Sequence, residues 1–258
     1  MTSDALFSSS IANRQLSILA TAFHTFDIQH LATLGLIGVS CVLLFHAAAS
    51  CSSSARRRLG GTLGVILLGY AACLYVQKGL THALSLEYSL PLDLCDLVLI
   101  ACVISLFRPN RFATEIAYFW GLGGVVQATF TPDIATAFPS WEYVQFFWGH
   151  GATLLAIVFL VSDPDFKPRK NSILRMMVAL NIYALVVGGI NAVAGWNYGY
   201  LCRKPSMPSL LDWLGPWPWY LLSLELIAFL TFLILDLFRR LLVWLRESDK
   251  ARTSTPRK

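Results

Sequence analysis

A cysteine and a histidine set into apolar sequence are the residues of this chain best suited to covalent chemistry. Cys95 lies in LPLDLCDL (90–97) and His150 in FPSWEYVQFFWGHG (138–151). A thiol becomes a nucleophile when a nearby base or cation favours its thiolate, and an imidazole with an ordinary pKa near 6.5 takes and returns a proton at neutral pH. The pair would therefore suit acyl transfer. Counted inward from the outer end of each apolar run at about 1.5 Å per residue, Cys95 lies about 7 Å deep and His150 about 13 Å. Gln127 and Asn191 fall at about 4 Å, Gln145 at about 6 Å and Glu225 at about 12 Å, all in one outer layer with Asp93, Asp96 and Glu142. An ionisable group inside a membrane costs about 2.5–3.5 kcal/mol, so each of these marks a functional candidate. Asp96, Gln145 and Glu225 are alternative partners to orient His150. The plainer account is also open: a cysteine as packing filler, an imidazole satisfied by a neighbouring helix, and Asp93 as a helix-start carboxylate.

The elements that would carry these residues are membrane helices. Of 258 residues, 56% are apolar and 14% charged, a balance that excludes a disordered chain. The apolar residues gather into runs long enough to cross a bilayer core of about 30 Å as helix, which takes about 20 residues. Seven segments qualify: Leu31–Ala49, Leu59–Val76, Leu90–Phe107, Phe112–Phe130, Trp141–Val161, Ile173–Val193 and Trp217–Phe238. Arg56-Arg57-Arg58, Pro91, Arg108-Pro109-Asn110, Pro132, Pro139, Pro164, Pro168 and the stretch 205–218 punctuate them. The fold class expected is all-α, a seven-helix transmembrane bundle. Residues 1–30 form an outer N-terminal segment, 31–238 the bundle and 239–258 a basic tail. The chain belongs in the cell membrane as a multi-pass protein.

Charge gives the orientation. Loops one, three and five and the C-terminal tail hold sixteen Lys and Arg, whereas the N-terminus and loops two, four and six hold four: Arg14, Lys78, Arg203 and Lys204. Basic residues collect on the cytoplasmic side, so the N-terminus is expected outside and the C-terminus inside. The same distribution leaves no basic groove with interleaved aromatics, and no nucleic-acid partner is expected. The first 25 residues lack a signal-peptide pattern, which makes the first span its own targeting signal. Glu115, Arg175 and Asp236 fall near the cytoplasmic ends, where snorkelling to water is the simplest account.

Trp141, Trp196, Trp213, Trp217 and Trp219 fall at outer ends, as in an aromatic belt. Loop six, Gly195 to Pro216, is longer than joining two spans requires. With Tyr198, Tyr200 and Arg203 it suits covering a site or holding a lipid headgroup. Asn181, Ala184, Gly188, Asn191 and Gly195 share one helical face, and Gly121, Gly123 and Gly124 form a second small-residue stripe; close helix packing is the expected use of both. The six cysteines form no CxxC pair and no zinc spacing, so no metal is expected. Without a nucleophile elbow, phosphate loop or dinucleotide fingerprint, no cofactor is expected either.

The strings LPLDLCDL, EIAYFWGLGGVVQATFTPDI (115–134), FPSWEYVQFFWGHG, NIYALVVGGINAVAGWNYGYLCRKP (181–205) and GPWPWYLLSLE (215–225) together resemble the YwaF-like family of bacterial integral membrane proteins. The resemblance covers roughly residues 60–235. More distantly the chain is similar to an animal transmembrane acyltransferase that makes polyunsaturated ether phospholipids through a cysteine and a histidine. By motif position, that likeness implies Cys95 as acyl-accepting nucleophile and His150 as base, with membrane lipids as substrates. One departure is Asp93, at a position where the family pattern carries a histidine.

Three functions remain open at this point. The first is an acyltransferase with a Cys95 thioester, hydrolysis being its variant with water as acceptor. The second is a small-solute transporter or channel with Asp96, His150 and Glu225 as relay groups, disfavoured by the absence of repeats and of matching interrupted helices. The third is a scaffold whose polar layer only ties helices together.

Overall fold

The computed structural model describes residues 22–254. Helices run α1 Ile28–Ala49, α2 Ser53–Leu80, the single turn α3 Leu86–Ser89, α4 Leu94–Phe107, α5 Arg111–Ile116, a π-helical segment Ala117–Val125, α6 Val126–Phe130, α7 Trp141–Val161, α8 Ser172–Ala194 and α9 Trp219–Ser254. Among the described residues no strand forms; one isolated bridge pairs Ala22 with Thr136. Local chemistry sets the starts. Asp27, Ser52, Asn110 and Ser140 each accept a hydrogen bond from a backbone N–H of the helix they precede. Gly195, with φ 78°, ends α8 in the left-handed region that glycine adopts at low cost.

Five helices, α1, α2, α7, α8 and the Trp219–Leu245 part of α9, are long and apolar enough to cross a membrane. The two other segments expected as spans are helical but built differently. Leu90, held extended ahead of Pro91 (ψ 142°), keeps the chain out of helix until Leu94. This leaves α4 with 14 residues, about 21 Å of rise. The helical stretch from Arg111 to Phe130 is interrupted by its nine-residue π segment. At the other end α9 continues as helix through the expected tail boundary at Phe238 to Ser254.

Around a centre made of α4, the π segment and α7, α2 packs on α4 and α7, α1 on α7, and α9 on α8 and the π segment. Val98, Cys102, Phe119, Ile157, Met176 and Phe232 are buried there. The π segment brings Gly121 so close beneath Ile157 and Val98 that a Cβ would overlap the isoleucine, which is the packing use expected of that glycine stripe. Facing outward are Leu36, Val39, Leu43, Leu185 and Val193, all more than half exposed, as lipid-facing surface requires.

Candidate functional site

Cys95 stands in the first turn of α4, the second residue after its cap Asp93. The first four N–H groups of a helix lack intrahelical partners and carry the positive end of its dipole, which favours negative charge on this sulfur, whereas burial and the Asp96 and Asp93 carboxylates beside it oppose that charge. Both neighbouring carboxylates are taken up by backbone. Asp96 Oδ2 accepts from Asp93 N at 3.2 Å, and Asp93 Oδ1 accepts from Gly199 N of loop six at 2.7 Å. Asp96 is a first-turn residue because α4 starts only at Leu94.

His150, half-buried on α7, has its Nδ1 2.9 Å from the carbonyl oxygen of Phe146. A carbonyl only accepts, so Nδ1 carries the proton in the neutral ring and Nε2 presents its lone pair. The ring stacks on Phe146 with centroids 4.0 Å apart. Nε2 has no hydrogen-bond partner among the described residues, and no direct bond joins it to the Cys95 thiol. The orienting contact is therefore a backbone carbonyl, where the sequence suggested Asp96, Gln145 or Glu225. Tyr70 belongs to α2, which packs on both α4 and α7. Its ring lies so close to Gly149 that a Cβ there would overlap it, and it is within electrostatic reach of Asp96 and Cys95.

Other candidates hold structure together. Asn191, 1% exposed, donates to Tyr198 O at 2.9 Å and accepts from Tyr198 N at 3.0 Å. Tyr198 in turn accepts from Leu90 N at 2.9 Å and donates to Leu86 O at 2.6 Å, while Tyr183 of α8 donates to Leu92 O at 2.9 Å. Loop six is thereby fastened over the start of α4. Asp133 fastens it to loop four, accepting from Tyr200, Ser206 and Met207. Burial, then the Asp133 carboxylate, pushes the Tyr200 phenol up, so it stays a proton donor. Glu225 accepts from Asn181 at 2.8 Å, Gln127 donates to Thr131 at 3.1 Å, and Glu142 binds the N–H groups of Ala135 and Thr136. Gln145 is half-buried on α7, and the backbone of Arg203 is held by Asn197 while its side chain is exposed.

At the opposite end two expectations of snorkelling are corrected. Glu115 is 1% exposed and saturated: Arg169 binds it through its guanidinium, at 2.6 Å for the closest pair, and through its backbone N at 2.7 Å, and Ser172 donates at 2.6 Å. A complete set of donors makes burial cheaper than reaching for water. The same bonds raise the Arg169 guanidinium further above its ordinary value. Asp236, 7% exposed, pairs with Arg240 one turn on at 2.6 Å.

Sequence reasoning missed His30, set outside the spans, which is fully buried. Its Nδ1 accepts from Phe26 N at 2.9 Å, so Nε2 carries the proton and donates to Thr129 O at 3.0 Å. Both nitrogens are used, and the ring is a rivet. Tyr70 was missed too, since a tyrosine in an apolar run signals nothing by itself. No group of three or more His, Cys, Asp or Glu among the described residues could hold a metal.

A family model described as the TMEM164 family matches residues 25–236. The motifs had suggested the YwaF-like name, which that match does not carry. No curated protein and no solved structure matches the chain.

Proposed function

The chain belongs to the TMEM164 family of transmembrane proteins, and from that premise we propose that it is a lipid acyltransferase with Cys95 as nucleophile and His150 as base. What carries the reading is the placement of Cys95 in the first turn of α4, on the helix that packs against the helix bearing a histidine whose Nε2 lone pair is free. The motif likeness to the cysteine–histidine acyltransferase supports the same pair.

With an ordinary pKa near 8.5, a thiol is mostly protonated at neutral pH, so attack needs a base. In the first step His150 Nε2 takes the thiol proton as sulfur attacks an acyl ester carbonyl of a phospholipid. The ester C–O bond breaks, the imidazolium returns the proton to the departing glycerol oxygen, and a thioester and a lysolipid result. In the second step Nε2 takes the proton of an acceptor lysolipid hydroxyl, which attacks the thioester, and the thiolate leaves and is reprotonated. Unpaired N–H groups of the first turn of α4 lower the energy of the sulfur anion in both steps. The reading requires that Cys95 and His150 Nε2 come within hydrogen-bonding reach of each other in the substrate complex.

The topology that goes with this reading has seven spans, α4 and the Arg111–Phe130 stretch included, with the N-terminus outside and the site in the outer half. Reporter fusions after Phe166 and after Arg203 test it. They are expected to read cytoplasm and exterior, and the same side from both would refute the span count. For the chemistry, Cys95→Ala is expected to abolish acyl transfer between defined phospholipids and lysolipids in proteoliposomes. His150→Ala should lower the rate by about 10²–10⁴ fold, the usual contribution of a general base. Wild-type rates in Cys95→Ala would sink the proposal.

A further inference from the structure

As sulfur adds to an ester carbon the carbonyl oxygen turns anionic, and a fixed hydrogen-bond donor aimed at that oxygen is a large contributor to acyl transfer. Three phenols from three elements lie within electrostatic reach of Cys95: Tyr70 of α2, Tyr183 of α8 and Tyr200 of loop six. Two of them are committed. Tyr183 donates to Leu92 O at 2.9 Å and Tyr200 to Asp133 Oδ2 at 2.9 Å. The hydroxyl of Tyr70 makes no hydrogen bond among the described residues. Nor is it sealed in. Among the described residues, the side-chain polar atoms that lack both a partner and accessible surface are Arg175 Nε and Asp236 Oδ1, so the oxygen of the half-buried Tyr70 is still reachable. Its place is set by α2, which packs on α4, the helix that begins at Cys95, and on α7, the helix that bears His150. The phenol oxygen lies against Gly149, where a Cβ would overlap it, and the missing side chain is what admits the hydroxyl beside the residue that precedes His150.

A phenol with an ordinary pKa near 10 keeps its proton at neutral pH and donates it in a hydrogen bond. In surroundings poor in water such a bond to a charged acceptor is stronger than in bulk solvent. We propose that the Tyr70 hydroxyl is the oxyanion donor of the acyl transfer, bonding the carbonyl oxygen of the phospholipid ester in the first step and of the Cys95 thioester in the second. This rests on the acyltransferase reading and adds a third catalytic residue to Cys95 and His150. As the Cys95 sulfur bonds the carbonyl carbon, the C=O π pair moves onto oxygen, and Tyr70 shares its proton with that oxygen without giving it up. The pair returns to carbon as the ester C–O bond breaks, and the glycerol oxygen leaves with the proton carried by His150. Since the hydrogen bond is strongest to the anionic oxygen, it lowers the barrier without tightening the ground state. Tyr183 and Tyr200 would have to break the bonds that fasten α4 and loop six to take the same part.

The test is turnover of the full-length protein in proteoliposomes of mixed phospholipid with a deuterated lysophosphatidylcholine acceptor, read as the mass of the deuterated diacyl product. Tyr70→Phe is expected to lower kcat by about 10²–10³ fold, the usual loss for one oxyanion donor, with KM for the lysolipid unchanged. Its melting midpoint should equal that of the parent, because the hydroxyl has no partner to lose. Two phospholipid analogues separate this role from a structural one. A trifluoromethyl ketone adds the Cys95 thiol to give an anionic hemithioketal, and its inhibition constant should rise by about tenfold or more in Tyr70→Phe. The analogue with a methylene in place of the carbonyl offers no such oxygen and should bind both proteins alike. Wild-type kcat in Tyr70→Phe while Cys95→Ala is inactive would overturn this inference and leave the Cys95 reading standing. A lower kcat with unchanged affinity for the ketone would also overturn it. Turnover that survives in Cys95→Ala would remove the acyltransferase reading and this inference with it.

Discussion

Asn191→Ala removes the clip that holds loop six over the start of α4. The amide makes two buried hydrogen bonds, at 2.9 and 3.0 Å, to the carbonyl and N–H of Tyr198. Removing it leaves both backbone groups buried without partners, at about 1–3 kcal/mol each, so about 2–5 kcal/mol in all after partial relaxation. For a chain of this size about 1 kcal/mol moves a melting midpoint by roughly 2–4 °C, giving a fall on the order of 5–15 °C. The loss passes on to α4, because the Tyr198 hydroxyl that binds Leu90 N and Leu86 O rides on the same backbone. The assay is size-exclusion thermostability of detergent-solubilised protein, with maleimide labelling of Cys95, in a variant whose other cysteines are serine, as a second readout; faster labelling is expected. Asn181→Ala is the control on the same helical face, since its partner Glu225 is only half-buried, and it should fall by no more than about 3 °C. A midpoint for Asn191→Ala within 1 °C of the parent would refute the reasoning.

Glu115→Gln should destabilise by about 3–5 kcal/mol, since it strands Arg169 beside a buried neutral amide, whereas Ser172→Ala should cost about 1 kcal/mol; chemical denaturation in mixed micelles compares them. Gly149→Ala should displace the Tyr70 ring and with it the packing beside His150, lowering acyl transfer at least tenfold while Gly189→Ala, which meets open space, leaves it unchanged. Gly121→Ala should be milder, because the overlapped atom is the mobile end of Ile157, and a loss in midpoint of about 2–6 °C is expected.

Where one cause dominated, the sequence could be read directly. Trp141–Val161 coincides with its expected segment because Pro139 and the Ser140 cap start the helix sharply and Ser162 closes it. Leu90–Phe107 lost its first four residues because Pro91 and the Asp93 cap compete with apolar length, and hydropathy weighs only the latter. The π segment at Ala117–Val125 leaves no mark in composition, and its packing against α4 and α7 exists only in the folded chain. Among polar residues the sequence marked the layer but not its partners. Glu115 was read as snorkelling because its donors, Arg169 and Ser172, lie more than fifty residues away. His30 was set outside because only the folded chain brings Thr129 O onto its ring. Cys95 and His150 were visible as types; that one begins a helix and the other is oriented by Phe146 O became visible only in three dimensions.

The central claim is that Cys95 carries an acyl group in turnover, and intact mass of the purified protein measures it directly. Incubation with a phospholipid donor is expected to add the mass of one acyl chain, released by hydroxylamine, mapped to the peptide containing Cys95 and missing in Cys95→Ala. Cys95→Ser is expected to hold a hydroxylamine-resistant ester that turns over slowly. An unmodified mass under conditions where lipids are remodelled, or an adduct that persists in Cys95→Ala, would contradict the account.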